Sequence, residues 1–154
     1  MTSHKSTPLT TNETDEVFTR RVQFLRLSLA FFALLDVAAH LFASPGGTPI
    51  ISYWLDVETA SYSLISVIYL LGLRKFYVPV VLFTAYNLFL FFLSGVTALP
   101  FGINPKPLTG HLAVLHYSFG RGFSLLAWLY LLIVGLWMLK IDRGSKLNAL
   151  LNEQ

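Results

Sequence analysis

Residues 22–43 form an apolar run that carries Asp36 and His40 inside it. At 1.5 Å per residue, a helix of roughly 22 residues reaches about 33 Å, enough to cross a hydrocarbon core about 30 Å thick. Twelve residues of the run are Leu, Phe or Val. Each favours insertion by roughly 0.3–0.6 kcal/mol, against a cost of about 3 kcal/mol for an aspartate near the centre. The balance predicts a helix that enters the bilayer with its acid aboard. Asp36 and His40 are four apart and share a face that continues through Leu29, Ala33 and Ala43. Small residues beside polar ones mark the side that meets other helices, and Phe31, Leu34, Leu35 and Leu41 are expected to face lipid.

The same reading holds for the whole chain. Of its 154 residues, 55% are hydrophobic and 12% charged, where an ordinary soluble domain has about 25% charged. This predicts an integral, multi-pass membrane protein, in the cell or inner membrane if the source is prokaryotic. Net charge is +3, but membrane topology accounts for nearly every basic residue, so no nucleic-acid partner is inferred. The absence of cysteine excludes disulfides, thiolate metal sites and thiol redox chemistry.

The first 20 residues read as a mobile N-terminal tail, polar and without an apolar period up to residue 16. The first apolar run is too long for a cleaved secretory signal and carries Asp36, so it is expected to be retained. Asn12-Glu13-Thr14 matches a glycosylation acceptor, of consequence only on an outward-facing tail. After a break at Ser44-Pro45-Gly46-Gly47, residues 49–58 read as a loop with Tyr53 and Trp54 at the membrane interface. A second, shorter run over 59–73 contains Ser61, Ser63 and Ser66, and its Tyr62, Ser66 and Tyr69 form a stripe expected to face other helices. Arg74-Lys75 makes a basic turn, and a third run covers 78–98 with Asn87 near its middle. A Pro- and Gly-rich loop leads to a fourth run over 117–139, with Arg121, Ser124, Trp128 and Gly135 along one side. A short polar tail, 141–154, follows.

The predicted fold is therefore all-α: one domain over 21–140 with four transmembrane helices in an up-down-up-down bundle. Lys5, Arg20, Arg21, Arg26, Arg74, Lys75, Lys140, Arg143 and Lys146 then share one side, facing Lys106 and Arg121 on the other. The excess predicts cytoplasmic termini, with Asp56 and Glu58 outside.

Counted from the outer helix ends, Asp36 lies about 10 Å deep and His40 and Arg121 about 5 Å deep. First and fourth helices are neighbours in such a bundle, so Asp36, His40 and Arg121 are expected to form an intramembrane polar cluster. It would be a structural Asp36–Arg121 clamp or a proton, ion or substrate site. Tyr62, Ser66, Tyr69 and Asn87 are expected in the bundle interior, where Asn87 bonds a neighbouring helix or lines a small-molecule or quinone pocket. His40, His111 and His116 fall on the outer side. They are weak metal candidates because His111 and His116, five apart, diverge by about 140° on one helix. A haem between His40 and His116 is geometrically open, although the sequence requires no cofactor.

Phosphate loops, nucleophile elbows, paired-histidine zinc motifs and dinucleotide fingerprints are absent. The expected function is that of a small integral subunit or accessory protein without catalytic activity of its own, stabilising a larger membrane complex. Its expected partners are the bilayer and other integral membrane subunits, with a homo-oligomer open as well. The alternatives are a haem-, metal- or quinone-associated redox protein and a small oligomeric transporter or channel lined by Asp36 and Asn87.

Overall fold

The computed structural model describes residues 11–42, 49–97 and 119–144, with the side chains of 11–17, 42, 49–52, 95–96 and 119–121 excepted. The chain is all-α over these residues: α1 (Thr11–Phe42), α2 (Pro49–Leu71), a 3-10 turn (Arg74–Phe76), α3 (Tyr77–Val96) and α4 (Phe119–Ile141). Three stretches, Phe18–Leu41, Arg74–Ser94 and Gly122–Ile141, are long and apolar enough to cross a membrane. The first half of α2, with Asp56, Glu58 and several hydroxyl residues, is more polar.

Two boundaries differ from those read in the sequence. Helix α1 begins at Thr11, inside the stretch expected to lack fixed structure. Helix α2 begins at Pro49, so 49–58 is helix rather than loop. Proline suits the first helical position, where its fixed φ is already helical and its missing N–H costs nothing. The hydroxyls beyond it fold back on the helix, Thr59 Oγ1 donating to Leu55 O and Ser63 Oγ to Thr59 O, both at 2.8 Å. The other end of α2 closes at Gly72, whose φ of 63° suits the left-handed position after a helix. Gly72 N–H bonds Tyr69 O at 3.1 Å and Leu73 N–H bonds Ile68 O at 3.0 Å.

Helix α1 packs along α2 and α4, and α3 packs along α4. Helices α2 and α3 meet chiefly through long side chains: Tyr62 and Phe83 with ring centroids 5.7 Å apart, Tyr69 and Tyr77 at 5.0 Å. Gly135 of α4 admits this aromatic seam, since a Cβ there would lie 2.9 Å from Tyr69 Oη and 3.1 Å from Val81 Cγ2. The core is Leu29, Ala30 and Ala33 of α1, Ile65 and Ile68 of α2, Val80 of α3 and Leu131 and Met138 of α4, with the buried tyrosines and Trp128. Phe31, Leu34 and Leu41 are exposed on the opposite face of α1, as its pattern of small and polar residues implies.

Candidate functional site

Polar side chains collect at two levels of this helix pack. At the level where the end of α1 meets the first half of α2, Asp36, His40 and Glu58 are 0%, 8% and 6% exposed. His40 Nε2 lies 2.7 Å from Glu58 Oε2, and His40 Nδ1 lies 2.8 Å from the Asp36 carbonyl oxygen. A carbonyl cannot donate, so Nδ1 carries a proton and the second exchangeable proton is shared between Nε2 and Oε2. The contact is an imidazolium–carboxylate pair or a neutral imidazole accepting from the carboxylic acid. Two indoles cap the acids: Trp54 Nε1 donates to Glu58 Oε1 at 2.9 Å and Trp128 Nε1 donates to Asp36 Oδ2 at 3.0 Å. His40 Nδ1 is 3.5 Å from Asp36 Oδ2, longer than a good hydrogen bond. Asp36 Oδ1 has no partner.

Aromatic rings enclose the cluster. His40, Tyr62 and Trp128 form a triangle with centroids 6.2 to 6.5 Å apart, and Phe91 of α3 sets its ring edge-on to Trp128. Asn87 Nδ2 donates to Tyr62 Oη at 3.1 Å, leaving Asn87 Oδ1 without a partner. Two acids and one imidazole therefore share a low-dielectric interior. Burying net charge costs several kcal/mol per ion, so the arrangement favours states in which protons keep the cluster near neutrality. Chemically, such an arrangement can share a proton between His40 and Glu58 and can offer carboxylate and amide oxygens to a donor.

The second level is formed by α1, the start of α3 and the end of α4. Asp142 receives Arg26 Nε at 2.7 Å on Oδ2 and Arg26 Nη2 on Oδ1. Tyr77 Oη donates to Oδ2 and Gly144 N–H to Oδ1, both at 2.7 Å. Burial alone would push the Asp142 carboxyl up, but Arg26, Tyr77 and the Gly144 N–H outweigh it and hold the group below the usual carboxylate range. Gly72 leaves room for this arrangement, because a Cβ there would overlap the Arg26 guanidinium.

Asp36 and His40, which the sequence places together, do share a site. Its third ionisable member is Glu58, which sequence reasoning put in an outer loop. The missed signal was Trp54 and Glu58 at helical i, i+4 spacing just after Pro49. Arg121 has its backbone in the first turn of α4, but its side chain lies outside the described residues, as do His111 and His116. Asp36 meets α4 at Trp128. Tyr62 and Asn87 join the cluster's edge, whereas Ser66 is buried along the α2 stripe and Tyr69 Oη sits without a partner beside Gly135. Among the described residues no three His, Cys, Asp or Glu side chains group as a metal site. No protein-family model, curated protein or solved structure matches the chain.

Proposed function

We propose that the chain is a four-span integral membrane protein, an up-down-up-down bundle with both termini cytoplasmic, acting as a small subunit or accessory protein of a larger membrane assembly. Arg26, earlier in α1, meets Asp142 just past the end of α4, and Asp36, later in α1, meets Trp128 in the first half of α4, as antiparallel neighbours do. Arg20, Arg21, Arg74, Lys75, Lys140 and Arg143 lie toward the Arg26–Asp142 end, and Arg74 Nη2 bonds Leu139 O there. That excess fits a cytoplasmic face.

The observation that carries the subunit reading is the inward commitment of polar groups. Both His40 ring nitrogens are engaged, and Asp36, Glu58, Asn87 and Asp142 are at most 6% exposed. Outward faces of all four helices present apolar side chains such as Phe31, Leu64, Phe89 and Ile133. Chemistry is enclosed, and the apolar outer surface suits lipid and other transmembrane helices alike; the subunit reading takes part of it as the contact with partner helices. A haem ligated through His40 would require breaking its bond to Glu58 or to the Asp36 carbonyl, according to the ring nitrogen used. Gentle detergent extraction from the source membrane, followed by native mass measurement, tests the reading. A large particle of fixed composition is the expected result, and a particle containing only this chain overturns it.

A second reading, proton or cation handling by an oligomer of this chain, is favoured by the unpartnered, buried Asp36 Oδ1. Its signature is ion-dependent flux in proteoliposomes that Asp36→Asn abolishes; flux unchanged in that variant removes it.

A further inference from the structure

Beside the Arg26–Asp142 pair, on the outer surface where α1 meets α4, Arg20, Arg21, Phe24, Leu25 and Trp137 line an open groove of about 380 Å³. Its walls are almost entirely carbon, supplied by the two aromatic rings, Leu25 and the aliphatic stems of the arginines, and long basic side chains readily lay such stems on apolar surface. Phe24 and Trp137 are 69% and 54% exposed, so the groove opens outward. Its arginines are exposed as well, and exposed Lys140 follows Trp137 by one turn on α4. Glu16 stands four residues, one turn of α1, before Arg20, with Asp15 next to it and Glu13 a turn further toward the helix start.

The combination selects one class of ligand. A small soluble anion would satisfy the cationic rim and leave the carbon walls uncovered. A zwitterionic lipid would fill the walls but bring its own ammonium to the rim. An anionic diacyl phospholipid satisfies both, with its phosphodiester at Arg20 and Arg21 and acyl chain against Phe24, Leu25 and Trp137. Basic pockets between transmembrane helices at a cytoplasmic face suit such head groups, and tryptophan belongs at that depth. We infer that this α1–α4 groove is a binding site for an anionic phospholipid. The inference rests on the membrane reading above, which a separate observation, the need for detergent to extract the chain, tests by itself.

The experiment is native mass spectrometry of the detergent-solubilised full chain with equimolar phosphatidylglycerol and phosphatidylcholine. One basic residue near a membrane surface is worth about a five-fold preference for anionic lipid. Two therefore predict roughly ten-fold or greater retention of phosphatidylglycerol, falling to near parity in Arg20→Gln/Arg21→Gln. Arg74→Gln/Lys75→Gln removes the same charge from the same end at residues that do not line the groove and is expected to keep the preference. Equal loss in both double variants, no preference in the wild type, or displacement of the lipid by equimolar inorganic phosphate overturns the site. If the arginine variant misfolds, brominated-chain lipids give a second readout. Phosphatidylglycerol is expected to quench wild-type tryptophan emission more than phosphatidylcholine does, and Trp137→Phe to remove that difference. A difference that persists in Trp137→Phe refutes the groove as its source.

Discussion

The two polar clusters have opposite degrees of completion. Around Asp142, both carboxylate oxygens accept from Arg26, and Tyr77 and the Gly144 N–H add further bonds. Around Asp36, one oxygen accepts from Trp128 and the other makes no hydrogen bond of standard geometry, with only the Ser124 hydroxyl near the carboxylate. A carboxylate with all its lone pairs engaged by a guanidinium fork and two other donors acts as a fastener. One buried with an oxygen unengaged costs stability where it sits. The first arrangement ties the middle of α1 to the start of α3 and the end of α4; the second leaves a buried carboxylate oxygen short of a well-formed bond.

The largest test of this contrast lies at the fastener. Arg26→Leu strands Asp142 at 1% exposure, and breaking a buried pair from one side costs about 3–5 kcal/mol, reduced here because Arg26 keeps partial contact with solvent. Thermal melting in detergent should show a drop far larger than any single change at Asp36 produces. A drop of the same size at both places erases the distinction.

Acid titration probes the same pair without mutation. The Asp142 carboxyl is held lower in the folded chain than in the unfolded one, so its contribution is fully present above the unfolded value of about 3.9 and disappears as pH falls through the folded value. The melting temperature of the wild type should therefore fall in the acid range below about pH 4. Asp142→Asn should start lower and show a flatter acid limb. Parallel limbs for the two proteins would mean that other carboxylates govern acid unfolding.

How much of this was legible before the fold was known differs between the same two clusters. Asp36 and His40 announced themselves, because ionisable residues inside an apolar run are conspicuous and i, i+4 spacing puts them on one face. The aromatic stripe Tyr62, Tyr69 was readable for the same reason. Glu58 was hidden: its neighbours Asp56, Thr59 and Ser61 look like loop composition, and its partners His40 and Trp54, with the hydroxyls of Thr59 and Ser63 satisfied on the backbone, are seen only in the folded chain. The fastener was hidden by sequence distance. Arg26 and Asp142 are 116 positions apart, and each alone reads as one more charge on the basic or polar side of the bundle. Their pairing comes from helix packing, which hydropathy does not encode.

Glu58 distinguishes a shared proton from a fixed charge pair. Glu58→Leu leaves one His40 ring nitrogen and the Trp54 indole without their acceptor, which should cost about 1–3 kcal/mol. Glu58→Gln can still accept from Trp54 and donate an amide N–H to neutral His40, so its cost should stay below about 1 kcal/mol. The ratio of the two losses, measured by denaturation in detergent, checks the assignment. A glutamine variant as damaged as the leucine variant would make the His40–Glu58 contact a second ionic fastener.

The smallest effect is expected from Asp36→Asn, and it bears most directly on function. The asparagine carbonyl can still accept from Trp128, while the charge that the interior solvates poorly is gone. Its new amide hydrogens need partners, with the Ser124 hydroxyl close by. The change in stability should fall within about 1 kcal/mol of zero, in either direction. A result there, beside a large loss for Arg26→Leu, would show that Asp36 is not needed to hold the helices together. An ionisable group in an apolar span that does not hold the helices together is a candidate for a functional role. A loss above about 3 kcal/mol would place Asp36 with Asp142 as a structural acid, leave the proton- or cation-handling reading without its supporting residue, and return the explanation of this protein to the surfaces it presents to other membrane helices.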